Sequence, residues 1–341
     1  MTVNHSPKMK TLLRWLPGVM ISAIAIYAVI HFSRMQDFHA ALKTVTLKYV
    51  VMITMLSLLS LLVRAIAWRT ILGDQISLVN SFFGINEGYF LNNLFPLRAG
   101  EIGRALSVGQ SSGLGTLHVL STILIERAFD LVFAAGIALI TLPFIVGSEW
   151  IKPIAFSAFV IVILGLILLF LVANNRQKIQ VWIDKKGFKS RFLVERVLPQ
   201  IHKLIDGMTA LVKPSRFLLS FFWIGMTWVV WMFFYYSTVA QLANGAPLWW
   251  GAFVSSLLAL GVAIPSAPAA VGVYEAAIVG SLALLGISSS SALAFAIVMH
   301  LDQMVITAIF GLWGLIRDGQ SLSGLLASLS DKKLAEKKPV Q

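Results

Sequence analysis

The sequence NNLFPLRAGEIGR, residues 92–104, is where the apolar pattern of the chain breaks most sharply. It interrupts a long apolar segment, residues 79–114, with a proline, two glycines and three charged side chains. A proline removes a backbone hydrogen-bond donor and a glycine loosens the chain, so backbone polar groups are freed here. Inside a lipid bilayer such backbone is tolerated only where it is buried in protein or lines a wet cavity. If the chain lies in a membrane, the stretch predicts a broken hairpin beside an internal site.

The composition places the chain in a membrane. Of its 341 residues 58% are hydrophobic and 12% are charged, and the mean hydropathy is +0.84, whereas soluble domains carry roughly 25% charged residues. The 27 Lys and Arg exceed the 15 Asp and Glu, for a net charge of +12. In a membrane protein we interpret this excess as a topology signal and an attraction to anionic lipid, not to nucleic acid. The sequence has no cysteine, which excludes disulfides and thiolate sites.

Six uninterrupted apolar runs are long enough for the ~20 residues that a spanning helix needs. They are residues 15–32, 47–67, 119–146, 154–173, 217–243 and 292–316. A second apolar segment, residues 247–291, is broken by proline, glycine and charge as the first one is.

Basic residues orient these runs, because cytoplasmic loops are enriched in Lys and Arg. The loop 174–216 carries ten Lys or Arg against three Asp or Glu, so we place it in the cytoplasm together with both termini and the basic tail 319–341. Arg64 and Arg69 mark the inner end of the second run. Within the loop, apolar residues at spacings of three and four predict an amphipathic helix. It lies on the inner leaflet or packs on the protein's own inner face.

The crossings repeat in inverted order. Each broken segment must return to the side that it entered from, so both are hairpins, re-entrant or made of short spans, and they enter from opposite faces. We predict an all-α, polytopic helical membrane protein of two inverted repeats, residues 1–147 and 148–318, each with three spanning helices and one broken hairpin. Transporters built in this way hold their substrate where the interrupted helices meet, near the bilayer midplane.

The first candidate site group is Arg98, Glu101 and Arg104. Their spacing of three puts them on one face of a helix. A charge near the bilayer centre costs at least ~2.5–3.5 kcal/mol, so these groups should be paired or hydrated. Two arginines against one carboxylate leave a positive charge that suits a phosphate. The alternative is a structural ion pair that pins the hairpin.

The second group is Glu126, Arg127 and Asp130, on the span that follows the first hairpin. Arg127 can reach Asp130 at a spacing of three, while Glu126 points to another face of the helix and can meet Arg98 or Arg104. Arg127 either lines a cavity or snorkels to the inner interface.

The third group belongs to the second hairpin and the last span. Glu275 is the one charged residue of segment 247–291 and is a candidate for binding a proton or a headgroup amine. His300 and Asp302 follow on the last span, where the histidine either takes part in a proton-linked step or packs as a neutral side chain. The predicted hairpin breaks are Asn92, Asn93, Pro96, Gly100, Pro265, Pro268 and Gly272.

Motifs of common enzymes are missing from the sequence. It has no G-x-S-x-G, H-E-x-x-H or P-loop motif, and its six His are scattered. We expect no catalytic activity, no metal site and no cofactor.

Three motifs give the chain a resemblance to a known family. They are N-x-x-P-x-R-x-G-E-x-x-R at residues 93–104, E-R-x-x-D at 126–130 and P-x-x-P…G-x-x-E at 265–275. Over residues 10–318 the chain resembles the transmembrane region of the lysylphosphatidylglycerol synthases, a flippase-like (UPF0104-type) group of integral membrane proteins. The resemblance implies a multi-pass protein of the bacterial inner membrane that moves an aminoacylated or glycosylated phospholipid between leaflets.

The chain departs from the family pattern at two places. Ala269 and Ala270 stand where Gly-Gly is more frequent, and His300 stands where Arg is. Full-length synthases that resemble this chain carry a further soluble aminoacyl-transfer domain, for which the residues after Arg317 leave no room, so we expect no synthase activity.

The sequence thus predicts a lipid flippase whose partner is a phospholipid or a lipid-linked substrate. Arg98, Arg104 and Arg127 would hold the lipid phosphate, balanced by the carboxylates of the first two groups. Glu275, together with His300 or Asp302, would bind the cationic part of the headgroup or a proton. Two alternatives stay open: transport of a soluble anion by the same arginines, and a non-transporting subunit that docks a separate lipid-modifying or glycosyl-transferring enzyme.

Overall fold

The structure, a computed structural model, describes residues 7–95, 98–145, 151–185, 212–264 and 266–320. Within these ranges it is built from α-helices, with no strand, as predicted. The helices are α1 (Pro7–Phe32), α2 (Met35–Lys43), α3 (Leu47–Ile71), α4 (Leu78–Leu94), α5 (Ala99–Ser111), α6 (Thr116–Thr141), α7 (Ile151–Asn174), α8 (Arg176–Lys185), α9 (Pro214–Leu242), α10 (Trp249–Val262), α11 (Val273–Leu284) and α12 (Ser289–Arg317). Single 3₁₀ turns follow α6 (Leu142–Phe144) and precede α11 (Pro268–Ala270).

Some of the predicted features lie on residues that the structure does not describe. Pro96 and Pro265, two of the predicted hairpin breaks, lie outside the described residues, as do most of the predicted amphipathic helix and nearly all of the basic tail. The described beginning of loop 174–216 is helix α8.

Several helices have the length and apolar character of membrane spans. Among the described helices, α3, α9 and α12 are each long and apolar enough to cross a bilayer. Helices α1 and α2 have the length and apolar character of a span only when they are taken together. The chain bends by 89° at the break between them. Helix α2 lies in the connection between the first two predicted spans and packs on α12. Helix α6 has 26 residues, but its middle carries three charged side chains, Glu126, Arg127 and Asp130. These side chains face the interior of the protein.

Helices α4 and α5 form the first broken segment. Ser77 begins α4 by accepting a hydrogen bond from the Asn80 N–H at 3.1 Å, and Arg98 begins α5 in a left-handed conformation with φ 56°. Gly100 lies against α4, where a Cβ would come within 2.0 Å of the Gly88 carbonyl oxygen. Only glycine allows this approach, so the RAGE sequence is what lets α5 fold back closely on α4.

Helices α10 and α11 form the second broken segment. Between them Ala269 and Ala270 both have positive φ, 55° and 56°. This conformation costs an alanine roughly 1–2 kcal/mol, whereas glycine adopts it freely. The Gly-Gly pair that is more frequent at these positions in the family that the chain resembles would adopt this turn without strain.

Long helices enclose both broken segments. Helix α12 packs on α4 and α11, α9 packs on α3 and α10, and α6 packs on α5 and α10. The two segments meet where Arg98 Nη2 donates to the Val262 carbonyl oxygen at the end of α10, at 2.6 Å. Beside them, Asn93 Nδ2 of α4 donates to the Thr307 hydroxyl of α12 at 3.0 Å. This meeting point positions the candidate site.

Candidate functional site

A cavity of about 430 Å³ lies where the two broken segments meet. Its wall draws on α3, α4, α5, α6, α9, α10, α11 and α12. The charged part of the wall is Arg64, Arg98, Glu101, Arg127 and Asp130; the aromatic part includes Tyr89, Trp228, Trp231, Phe234 and Tyr235; and Tyr274, His300 and Gln303 add further polar groups. A volume of this size, with a few polar groups set in an apolar wall, is typical of a ligand site.

Arg64 of α3 is the centre of the charged wall. Its guanidinium donates from Nη1 and Nη2 to the two carboxylate oxygens of Asp130, at 2.8 and 2.6 Å. The Nε of Arg64 lies 3.1 Å from Glu126, and the side chain is only 1% exposed. The sequence pattern used Arg64 only with Arg69, to orient the second predicted span, and did not indicate that its side chain is buried among carboxylates. The arginine faces the interior because two carboxylates of α6 receive it there.

Glu126 of α6 binds the second buried arginine. Its Oε2 lies 3.0 Å from Nη2 of Arg104, and both side chains are almost fully buried. The Arg104 guanidinium also stacks 3.5 Å from the centre of the Trp68 ring. Neither Glu126 nor Arg104 lines the cavity. Of the two partners predicted for Glu126, Arg104 is the one that the structure places beside it, and the pair holds α5 on α6 behind the cavity wall.

Arg127 links the first broken segment to α6 from inside the cavity. It lies 2.9 Å from Glu101 of α5 and 3.0 Å from Asp130, one turn along its own helix. The predicted Arg127–Asp130 contact is therefore present in the structure. Because Arg127 lines the cavity with 21% of its side chain exposed, the geometry places it on the cavity wall and not at a lipid interface.

Arg98 is the least neutralised arginine of the cavity. Its Nη1 lies 3.8 Å from Glu101, and 38% of its side chain is exposed, against 1% for Arg64 and 21% for Arg127. With the buried pair behind the wall included, the four arginines of the network (Arg64, Arg98, Arg104 and Arg127) face three carboxylates (Glu101, Glu126 and Asp130). One positive charge is left over, and it is most accessible at Arg98.

His300 of α12 lines another part of the wall. Its Nδ1 lies 2.6 Å from Glu275 Oε1 and its Nε2 lies 2.9 Å from the Ala269 carbonyl oxygen. Its ring stacks on Tyr274 at 4.1 Å. Glu275 itself does not line the cavity, because its Oε2 accepts from the Gly272 N–H at 2.6 Å and caps the start of α11. The histidine thus holds the strained turn before α11 in place.

The remaining predicted residues occupy separate positions. Asp302 accepts hydrogen bonds from the hydroxyls of Thr54 and Ser57 on α3, at 2.5 and 2.8 Å, and does not line the cavity. The structure therefore brings Glu275 together with His300 and not with Asp302. Asn92 accepts from the Gly100 N–H at 2.8 Å through its side-chain oxygen and fastens α5 to α4.

The described residues form no cluster of three His, Asp or Glu side chains that could hold a metal ion. The side chains of the cavity wall offer charge, hydrogen bonding and aromatic contact. They can bind and orient an anion at Arg98 and a second polar group near His300.

The chain was compared with known proteins. The profile of the family described as the lysylphosphatidylglycerol synthase TM region matches residues 15–311. A UPF0104 membrane protein of Methanocaldococcus jannaschii is 28% identical over 227 residues, which are 65% of this chain and 91% of that protein. A UPF0104 membrane protein of Methanothermobacter thermautotrophicus is 30% identical over 149 residues, which are 43% of this chain and 39% of that relative. No solved structure matches the chain significantly.

The family match covers both broken segments and every charged residue of the cavity wall. Helical architecture, apolar spans and sequence similarity agree on a membrane protein. The chain belongs to the family of the lysylphosphatidylglycerol synthase transmembrane region.

Proposed function

We propose that the protein is a flippase, which moves an anionic or aminoacylated phospholipid between leaflets and binds its phosphate in the cavity. The observation that carries the proposal is the surplus positive charge of the cavity, exposed at Arg98 where the two broken segments meet. Guanidinium groups bind phosphate through paired, charge-assisted hydrogen bonds. A phosphate beside Arg98 would neutralise the surplus positive charge. It would also give Arg98 a close anionic partner, whereas Glu101 lies 3.8 Å away.

The rest of the headgroup would lie against the polar groups near His300. Tyr274 and Gln303 line the same cavity as Arg98, beside His300, and offer both donors and acceptors. The aromatic side chains that α9 presents to the cavity, Trp228, Trp231, Phe234 and Tyr235, give contact area for the glycerol part. Arg104 and Glu126 act in this proposal as positioning residues, because they hold α5 against α6 without facing the cavity.

We further propose alternating access between two inverted repeats. Three pairs of packed helices correspond between the halves: α3 on α4 to α9 on α10, α5 on α6 to α11 on α12, and α12 on α4 to α6 on α10. Helices α1 and α7 differ, because α1 packs on α11 whereas α7 packs on α6. The three shared pairs support the inverted repeat, since each half then encloses the broken segment of the other. Rocking of one half against the other would open the cavity to one leaflet at a time. In this arrangement both termini lie in the cytoplasm, and the protein itself carries out no covalent chemistry.

Leaflet translocation in proteoliposomes tests the proposal. The protein is reconstituted with fluorescent phosphatidylglycerol and its lysyl derivative, and accessibility to an external quencher is followed in time. We expect the intact protein and Arg69→Ala to accelerate translocation, and Arg98→Ala to lose most of the acceleration. Arg69 is the matched control, because its side chain is 40% exposed and pairs with Asp74 away from the cavity.

Other outcomes would support the alternatives. Uptake of a soluble organic phosphate without lipid movement would assign the same arginines to a soluble anion. If the protein moves neither a soluble anion nor any lipid of a panel with different headgroups, transport is excluded. The remaining alternative is then a non-transporting subunit that docks a separate enzyme.

A further inference from the structure

A buried carboxyl group lies outside the cavity, on α4. Glu87 is fully buried and does not line the cavity. Its Oε2 accepts a hydrogen bond of 2.5 Å from the Ser107 hydroxyl of α5. Its Oε1 has no hydrogen-bond partner among the described residues. This oxygen faces α12, where a Cβ at Gly314 would come within 2.6 Å of it.

Among the described residues, the charged groups near enough to act electrostatically on Glu87 are Arg104, Arg317 and Asp318. Arg104 is held by Glu126 at 3.0 Å. Arg317 lies 3.0 Å from Asp318, stacks 4.7 Å from the Phe83 ring and also donates to Asn80. On the side of α3, Arg64 turns to Asp130. Within the described part of the chain, Glu87 is therefore a buried acid without an ion-pair partner.

We propose that Glu87 is a proton-binding site that fastens the first broken segment to α12. A proton adds to Oε1 of the carboxylate and makes it a carboxylic acid; no other bond changes. The neutral acid removes a charge that would otherwise lie unpaired against the α12 backbone, which is costly in a membrane interior. The close packing at Gly314 favours a proton over a metal cation, which would need room and several oxygen ligands.

A polar path leads from Glu87 to the end of α12. The carbonyl oxygen of Ser107 accepts from Gln320 Nε2 at 3.3 Å, and Gln320 lies just beyond Arg317, where α12 ends. The Oε1 of Gln320 is also buried and has no hydrogen-bond partner among the described residues. Ser107 and Gln320 thus place polar groups between Glu87 and the end of α12, outside the cavity.

The consequence for transport rests on the proposed function. Loss of the proton would leave a bare carboxylate between α4 and α12 and loosen their contact. The first broken segment could then move relative to α12, so proton exchange at Glu87 would accompany the change of access. The proton site itself does not depend on which substrate the cavity takes.

Infrared difference spectroscopy of the full chain in lipid tests the proposal. At neutral pH we expect the C=O stretch of a protonated carboxylic acid, which lies above the carboxylate bands and shifts in D₂O. Glu87→Gln should abolish the band. Glu101→Gln is the matched control and should keep it, because Glu101 is paired with Arg127 at 2.9 Å.

A second variant protects the test against a folding failure. Ser107→Ala removes the hydrogen bond to Oε2 and should move the band without abolishing it. The proposal is overturned if the wild type lacks the band, if Glu87→Gln retains it, or if Ser107→Ala leaves it unmoved. None of these readouts requires lipid movement, so a failed proton site and a failed flippase are told apart.

Discussion

Replacement of Arg64 by leucine should destabilise the helical bundle strongly. Arg64 is buried and donates to both oxygens of Asp130, with Glu126 at 3.1 Å. Breaking a buried ion pair by removing one partner costs about 3–5 kcal/mol. Asp130 keeps Arg127 at 3.0 Å and Glu126 keeps Arg104 at 3.0 Å. We therefore expect the lower end, about 3 kcal/mol, which changes the unfolding equilibrium by about two powers of ten.

The free energy of unfolding can be measured by SDS titration in mixed micelles, with helical circular dichroism as the signal. Arg69→Leu is the control, because an exposed pair such as Arg69–Asp74, at 3.3 Å, contributes less than about 1 kcal/mol. Adding Asp130→Asn to Arg64→Leu should recover part of the loss, because the second change removes a charge left without its main partner. A loss below about 1 kcal/mol for Arg64→Leu would refute this account of the charge network.

Three further predictions concern the broken segments. Ala269→Gly should raise the free energy of unfolding by up to about 1 kcal/mol, since relief of the left-handed strain is partly offset by the entropy of glycine; a loss in the same SDS titration would contradict the strained turn. Gly100→Ala should cost at least about 1–3 kcal/mol, because its Cβ would meet the Gly88 carbonyl at 2.0 Å, and an unchanged titration would contradict the close approach of α4 and α5. His300→Ala should raise amide hydrogen exchange in the turn before α11, because Glu275 and the Ala269 carbonyl both lose a partner; unchanged protection there would show that the histidine does not hold the turn.

Much of the charged network followed from spacing alone. The Arg127–Asp130 contact was predicted, because i, i+3 neighbours share a helix face. Glu126 was expected to meet Arg98 or Arg104, and the structure places it beside Arg104. The all-helical membrane class followed from composition. The inverted repeat is still a prediction, supported by the packing pairs.

Other features could not be recognised from sequence. An arginine near the end of an apolar run looks the same whether it faces headgroups or the interior, so the burial of Arg64 against Asp130 and Glu126 was not predicted. Glu87 sits in the first broken segment with no partner at helical spacing, and its contact with Ser107 arises only when α5 folds back on α4. The capping role of Glu275 could have been predicted from its spacing of three from Gly272. It was not, because Glu275 was interpreted only as a site for a proton or a headgroup amine.

Binding of a lipid phosphate at Arg98 can be observed by photocrosslinking. The probe is a phosphatidylglycerol that carries a photoactivatable headgroup, and its adducts are mapped by mass spectrometry. We expect adducts on cavity-wall residues such as Trp231 and Leu258, suppressed by unlabelled phosphatidylglycerol and lost in Arg98→Ala. Adducts confined to outward-facing residues such as Ile161 and Leu164 of α7, which are 67% and 60% exposed, and equal in Arg98→Ala, would contradict it.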